Sequence, residues 1–241
     1  MEHAVRHTVT LIRERFGEPL TLDDLARHVM VSKYHLLRVF TRVTGVTPGR
    51  FLTAVRLQEA QRLLLSTPLT VADISARVGY SSTGSFTRRF TELVGLSPTQ
   101  YRRLSLTSVR TTPPAAPYAF AAPTGWVTGT LHTDGTDLTS ASVGAFDSSL
   151  LQGVPAAWSN TCAPGHFTLP RVPEGTWYIH AVARTRPTPA STDRVLVATV
   201  GPVLVEGHAP GPLDITLSPM DWTRPPILSA SMGIDPQPLA A

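Results

Sequence analysis

Apolar side chains recur three and four positions apart from residue 5 to about residue 104, and alternate singly from about residue 125 to 217. The first spacing is that of helices with one buried face, and the second is that of half-buried strands. In "HAVRHTVTLIRERFG" the residues Val5, Val9, Ile12 and Phe16 share a face, and Gly17 stops the helix. Leu22, Leu25, Ala26 and Val29 mark a second helix, with Thr21 as its N-cap and Asp23 and Asp24 in the first turn, where acidic groups suit the helix dipole. A turn at Met30–Val31 leads to Ser32, which caps a third helix carrying Leu36, Leu37 and Phe40. "GRFLTAVRLQEAQRLLLST" then reads as a long helix, apolar at Leu52, Val55, Leu57, Ala60, Leu63 and Leu64. Two further short helices, separated by Gly79 and capped by Thr70 and by Ser81 or Ser82, bring the number expected over residues 3–104 to roughly seven with the one after Pro98.

Within this stretch the chain repeats itself. At an offset of 49, Leu20, Thr21, Asp24, Leu25 and Val29 fall on Leu69, Thr70, Asp73, Ile74 and Val78. One residue is then added, and at an offset of 50 Leu36 falls on Phe86, Arg38 on Arg88, Phe40 on Phe90, Gly45 on Gly95, Pro48 on Pro98 and Phe51 on Tyr101. Each copy parses as helix, turn, helix, a unit that can lay its second helix in a DNA major groove.

Charge sharpens that reading. Residues 1–110 hold 16 Arg and Lys against 8 Asp and Glu, whereas residues 111–241 hold 5 against 9, so a half of net +8 precedes one of net −4. Of 22 prolines, 4 lie before residue 111. Halves this different form two domains, and the basic one is suited to a phosphate backbone. Lys33 is the single lysine, so the choice of arginine at any one site carries no weight. The single cysteine, Cys162, excludes an internal disulfide and fits a reducing cytoplasm, and no segment reads as a signal peptide or a bilayer span.

Two helix-turn-helix units joined by a helix reading Arg56-Leu57-x-x-Ala60-x-x-Leu63-Leu64, with Gly79, Phe86, Arg88, Phe90, Gly95, Pro98, Tyr101 and Arg102 following, resemble the DNA-binding domain of the AraC/XylS family. The resemblance covers about residues 5–104. It implies a transcription regulator that inserts recognition helices near 33–42 and 83–92 into successive major grooves of duplex DNA. It also implies base-reading positions at Tyr34, Leu37 and Arg38, and at Thr83, Gly84, Thr87 and Arg88. Arg38 and Arg88 suit a bidentate contact to guanine, while Leu37 offers apolar contact or belongs to the core, and Tyr34 reads a base or covers that core. Phe86 and Phe90 are core by their spacing. Candidate backbone contacts are Ser32, Lys33, Arg50, Arg56, Ser82, Arg89, Arg102 and Arg103, each equally readable as a solvated charge, a cap or an internal partner. Gly84 costs local helix stability in the register of Tyr34, consistent with close backbone approach and one reader fewer.

Residues 107–123 are too proline-rich for a helix and read as an extended linker. Beyond them, segments 125–131, 141–147, 165–172, 177–184, 194–205 and 213–217 are the expected strands of a small antiparallel sandwich over residues 124–218. The glycine-punctuated pattern Gly125, Gly129, Asp134, Gly135, Ala141, Val143, Gly165, Phe167, Leu169, Val172, Pro173, Gly175 and Tyr178 resembles the prealbumin-like carboxypeptidase regulatory domains, which implies support or binding without catalysis. His132, His166, His180 and His208 lack metal-ligand spacing, and there is no G-x-S-x-G elbow or C-terminal Tyr-Arg-Gly-Ser. Neither an enzyme nor a cofactor is expected. Trp126, Trp158 and Trp177 line a pocket or fill the core, and residues 219–241 lack periodicity and are expected to form a loose tail. The expected class is thus multi-domain: a seven-helix tandem helix-turn-helix domain at 1–106 and a β-sandwich that would serve as sensor, self-association module or inert appendage. Expected partners are double-stranded DNA, RNA polymerase and a small-molecule effector. The rival reading is a protein-interaction or ligand-binding sandwich whose helical half docks a partner.

Overall fold

A computed structural model of the chain describes residues 2–104, 124–161, 164–186, 194–206 and 211–232. These form two compact units, one containing the helices together with Asp221–Leu228, the other containing the strands together with residues 229–232.

Seven helices make up the first unit: α1 (Glu2–Arg15), α2 (Leu22–His28), α3 (Lys33–Thr44), α4 (Pro48–Ser66), α5 (Val71–Arg77), α6 (Thr83–Val94) and α7 (Pro98–Leu104). The local chemistry repeats with the sequence. Thr21 and Thr70 each accept a bond from the backbone N–H three residues on, and the Asp24 and Asp73 carboxylates accept one from the cap's own N–H, so α2 and α5 both begin in a capping box. Gly45 and Gly95 close α3 and α6 in the left-handed conformation, with φ of 75° and 91°. Phe40 meets Phe51 edge-on with centroids 5.6 Å apart, and Phe90 meets Tyr101 likewise at 5.6 Å. Helix α4 is therefore shared. Its N-terminal half follows the first recognition helix as α7 follows the second, and its C-terminal half precedes α5 as α1 precedes α2. Accordingly α4 buries residues on more than one side, among them Phe51, Leu52, Val55, Leu57, Ala60, Leu63 and Leu64.

The second unit contains β1 (Thr124–His132), β2 (Leu138–Phe146), β3 (Ala157–Thr161), β4 (Gly165–Pro173), β5 (Gly175–Thr185), β6 (Val195–Val205), β7 (Leu213–Thr216) and β8 (Ser218–Pro219), followed by a 3-10 turn, Ala230–Met232. They build a three-stranded sheet, β4-β1-β7, and a five-stranded sheet, β3-β2-β5-β6-β8. Both sheets feed one apolar cluster that includes Val127, Leu131, Val143, Phe167, Leu169, Ile179 and Ile215. Gly129 lets β7 approach β1, because a β-carbon there would lie 2.2 Å from the Leu213 carbonyl oxygen.

Several expectations change. Strands β3 and β8 had no alternation to reveal them: "AWSNT" is short and mostly polar, and β8 is two residues long. The β1–β7 pairing is parallel, not antiparallel; alternation fixes which side chains face the core and says nothing of a neighbour's direction. The tryptophans do not form one group, since Trp177 is in the core with its Nε1 donating to the Pro173 carbonyl at 2.7 Å, while Trp126 is 63% exposed. Residues 219–232, expected to be a loose tail, are instead anchored through buried Leu228, Ser229 and Met232. These positions, with Pro226 also buried, leave no period to detect. The expected linker at 107–123, Cys162 and His208 lie outside the described residues, as does the chain beyond Met232.

Candidate nucleic-acid interface

The turn before each recognition helix is built differently in the two copies. In the first, Met30 takes a left-handed φ of 53° and stands 91% exposed. In the second, Gly79 takes a φ of 86°, and a β-carbon there would lie 2.8 Å from the Gly17 carbonyl oxygen and 2.9 Å from the Arg56 guanidinium. Only glycine fits the second turn, whereas the first carries its strain in open solvent. After these turns Ser32 and Ser82 cap α3 and α6, their hydroxyls accepting from the His35 and Ser85 N–H groups at 3.3 Å each. Both serine side chains serve their own helices, which leaves the neighbouring backbone N–H groups as the anion-facing part of each N-terminus.

Burial then divides each helix lengthwise. Leu36, Val39 and Phe40 are buried on α3, and Phe86, Phe90 and Val94 on α6. The opposite face of α3 shows Tyr34, 77% exposed, and exposed Arg38, with Leu37 half-buried at the margin. On α6 the matching face shows Thr83, Gly84 and Arg88 exposed and Thr87 half-buried. Together with Thr91 and Glu92, these four line a shallow open hollow. Arg38 and Arg88 occupy the same register, and among the described residues no hydrogen bond or ion pair engages either. The seven positions expected to read bases thus fall on two equivalent outward surfaces. The third turn of each surface escaped the sequence reading: Thr41 and Arg42 on α3, Thr91 and Glu92 on α6. The four-residue spacing from Arg38 and Arg88 is the signal that locates them.

The expected phosphate contacts divide. Arg56 is turned inward, its Nε donating to the Phe16 carbonyl and its Nη2 to the Glu18 carbonyl, both at 2.7 Å, and its side chain lies near the Tyr80 ring. Burial lowers its pKa and raises that of the Tyr80 phenol. Arg102 likewise bonds the Leu64 and Leu69 carbonyls. Each arginine ties down the connection leading into a helix-turn-helix unit, Arg56 before α2 and Arg102 before α5. Each guanidinium thus gives two of its five N–H donors to main-chain carbonyls, which is the internal-partner role left open for both. Lys33 pairs with Asp23 at 3.4 Å, and Arg89 with Glu92 at 3.1 Å. Both pairs are exposed and exchange readily for another anion. Arg50 and Arg103 are exposed near the starts of α4 and the end of α7.

Residues 25–104 match a helix-turn-helix domain family. The chain is 34% identical over 101 residues to the melibiose operon regulatory protein of Escherichia coli K12, covering 42% of this chain and 33% of that protein. It is 33% identical over 102 residues to the transposon Tn10 TetD protein of Escherichia coli, covering 42% of this chain and 74% of that one. Among solved structures, a probable AraC family transcriptional regulator from Rhodopseudomonas palustris CGA009 is 30% identical, covering 43% of this chain and 97% of that one, with a TM-score of 0.40. The chain belongs to the AraC family. What places it there is the helical unit. The chain spans about a third of the length of the melibiose regulator.

In this AraC-type unit the outward faces of α3 and α6 differ in charge. Lys33, Arg38 and Arg42 line α3, while Arg88 and Arg89 on α6 are offset by Glu92. Among the described residues no cluster of His, Cys, Asp or Glu could hold a metal ion, and no helix is long and apolar enough to cross a membrane.

Proposed function

We propose that the chain regulates transcription by binding specific duplex DNA through both of its helix-turn-helix units, with α3 (about 33–42) and α6 (about 83–92) entering successive major grooves on one side of the duplex. The observation that supports this most is the pair Arg38 and Arg88: two exposed, unengaged guanidinium groups at one register of two capped helices, carried on either side of the shared α4. Such a group offers two parallel donors to guanine O6 and N7. Tyr34, Leu37, Thr83 and Thr87 would add contacts to thymine methyl groups or phosphates, and Gly84 would admit the backbone. Lys33, Arg50, Arg89, Arg103 and the N–H groups behind Ser32 and Ser82 would hold the phosphates. The strand-rich unit would act as a sensor or self-association module, and RNA polymerase is the expected downstream partner.

Selection of bound duplexes from a random pool, followed by affinity measurements on the winner, tests this. Arg38→Ala and Arg88→Ala should each cost about 1–3 kcal/mol and relax sequence preference in different halves of the site. Equal weakening on all duplexes would make both arginines phosphate contacts. No preference over random duplex would reject sequence-specific binding.

A further inference from the structure

Asp221–Leu228 belongs to the helical unit although 116 residues lie between Leu104 and Asp221 in the sequence. Its sequence, "DWTRPPIL", carries two adjacent prolines, which favour an extended conformation. All of its residues except Asp221 are at least partly buried, and Pro226 and Leu228 fully so. Arg6 of α1 places its guanidinium carbon 4.6 Å from the centre of the Trp222 ring. On α4, Gln61 is 3% exposed, and its Nε2 donates to the Leu228 carbonyl oxygen at 2.9 Å. A glutamine side chain this buried is costly unless its amide is bonded. Here the bond goes to a backbone carbonyl, which any extended segment presents, and Pro226 and Leu228 are themselves buried.

We infer that α1 and α4 form a docking groove for an extended, proline-containing peptide with a tryptophan at one end and a leucine at the other, and that the chain fills it in cis with Asp221–Leu228. Arg6 recognises the aromatic ring, and Gln61 recognises a main-chain carbonyl. In sequence the occupant follows β8 by one residue, Met220, and precedes the Ala230–Met232 turn by one, Ser229, both elements belonging to the strand-rich unit. Occupancy holds α1 against the helix shared by both DNA-reading units, and so braces the pair. It leaves the reading surface open, since Tyr34 remains 77% exposed with the groove filled. The segment is a brace and not a lid. This consequence for DNA rests on the function proposed above; the groove itself does not.

The test uses the full chain, its Trp222→Ala/Leu228→Ala variant and a synthetic peptide spanning Met220 to Ser229. In hydrogen exchange followed by mass spectrometry, amides of α1 and α4 should exchange at least ~10-fold faster in the variant, with those of β2 and β5 unchanged. Adding the peptide should restore protection saturably, and a peptide with alanine at both positions should not. Gln61→Leu keeps the apolar volume and removes the donor, and should accelerate the same amides to a smaller degree. Unchanged exchange in α1 and α4, acceleration spread evenly over helices and strands, or failure of the peptide to restore protection would each overturn the groove. On a duplex recovered by selection, the double variant should bind ~3–10-fold more weakly, with the peptide reversing the loss. Altered exchange without altered affinity would overturn the bracing role. If selection recovers no preferred duplex, it is the DNA-binding reading that fails, and the exchange experiment still decides the groove.

Discussion

Gly84 stands in the first turn of α6 with nothing within 4 Å of where its β-carbon would be, and its φ is not left-handed. No neighbour in the chain therefore requires glycine there. Alanine should stabilise the helix by up to about 1 kcal/mol, read as a higher denaturant midpoint. If the backbone at this point approaches DNA, the same Gly84→Ala change should weaken binding to the selected duplex, so stability and affinity move in opposite directions. Affinity that rises with stability would remove close approach as the reason for the glycine. Arg38 and Arg88 were legible as an equivalent pair because register alone places them. Arg56 and Arg102 were not, because the carbonyls they bond lie 33 to 40 residues away and leave no local trace.

Among the elements, capping was the most legible feature, since Thr21, Ser32 and Thr70 act on backbone groups within three residues of themselves. The α2 capping box also makes a pH prediction. Hydrogen bonds from the Thr21 hydroxyl, the Thr21 N–H and Arg27 hold the Asp24 carboxyl below the usual aspartate range. A depressed folded-state pKa gives stability that is present above the unfolded value of ~3.9 and lost as pH falls through the folded one. The stability difference between the natural chain and Asp24→Asn should therefore narrow steadily below about pH 4 in denaturant titrations. A gap that stays constant down to pH 2 would show that the hydrogen-bonding pattern, not the charge, carries the effect. Strand positions were nearly as legible, with all six expected segments present. Their pairing was not, because the parallel partnership of β1 and β7 depends on where the chain returns and not on either strand's pattern.

For the whole molecule, the uneven charge bears on binding. In the proposed complex the net +8 of residues 1–110 would meet phosphate without help from the net −4 of residues 111–241. Affinity for the selected duplex should fall linearly in log–log form with salt, with a slope of about −0.9 for each phosphate neutralised. Removing one of them, by Arg50→Ala, should reduce the slope by about one and leave the preferred sequence unchanged. A slope that stays the same places Arg50 away from the duplex. The division into a helical and a strand-rich unit could be seen in the change of period and of proline content. The return of Asp221–Leu228 to the helices could not, since its hydrogen bond joins residues 167 apart.

Helix α4 has 19 residues and belongs to both repeats. Each residue added to an α-helix advances it by ~1.5 Å and turns its far end by about 100°. A single insertion or deletion in the middle of α4 would therefore swing the second reading face well off the side of the duplex that the first one meets, with both halves still able to fold. Seven added residues would nearly restore the angle, yet lengthen the rod by about 10 Å, close to a third of a DNA turn. No small change of length keeps both angle and distance. If both faces meet one duplex as proposed, α4 works as a gear whose tooth count is set by the pitch of the double helix, so length variation among functional homologues should accumulate in the connections and be absent from Pro48–Ser66.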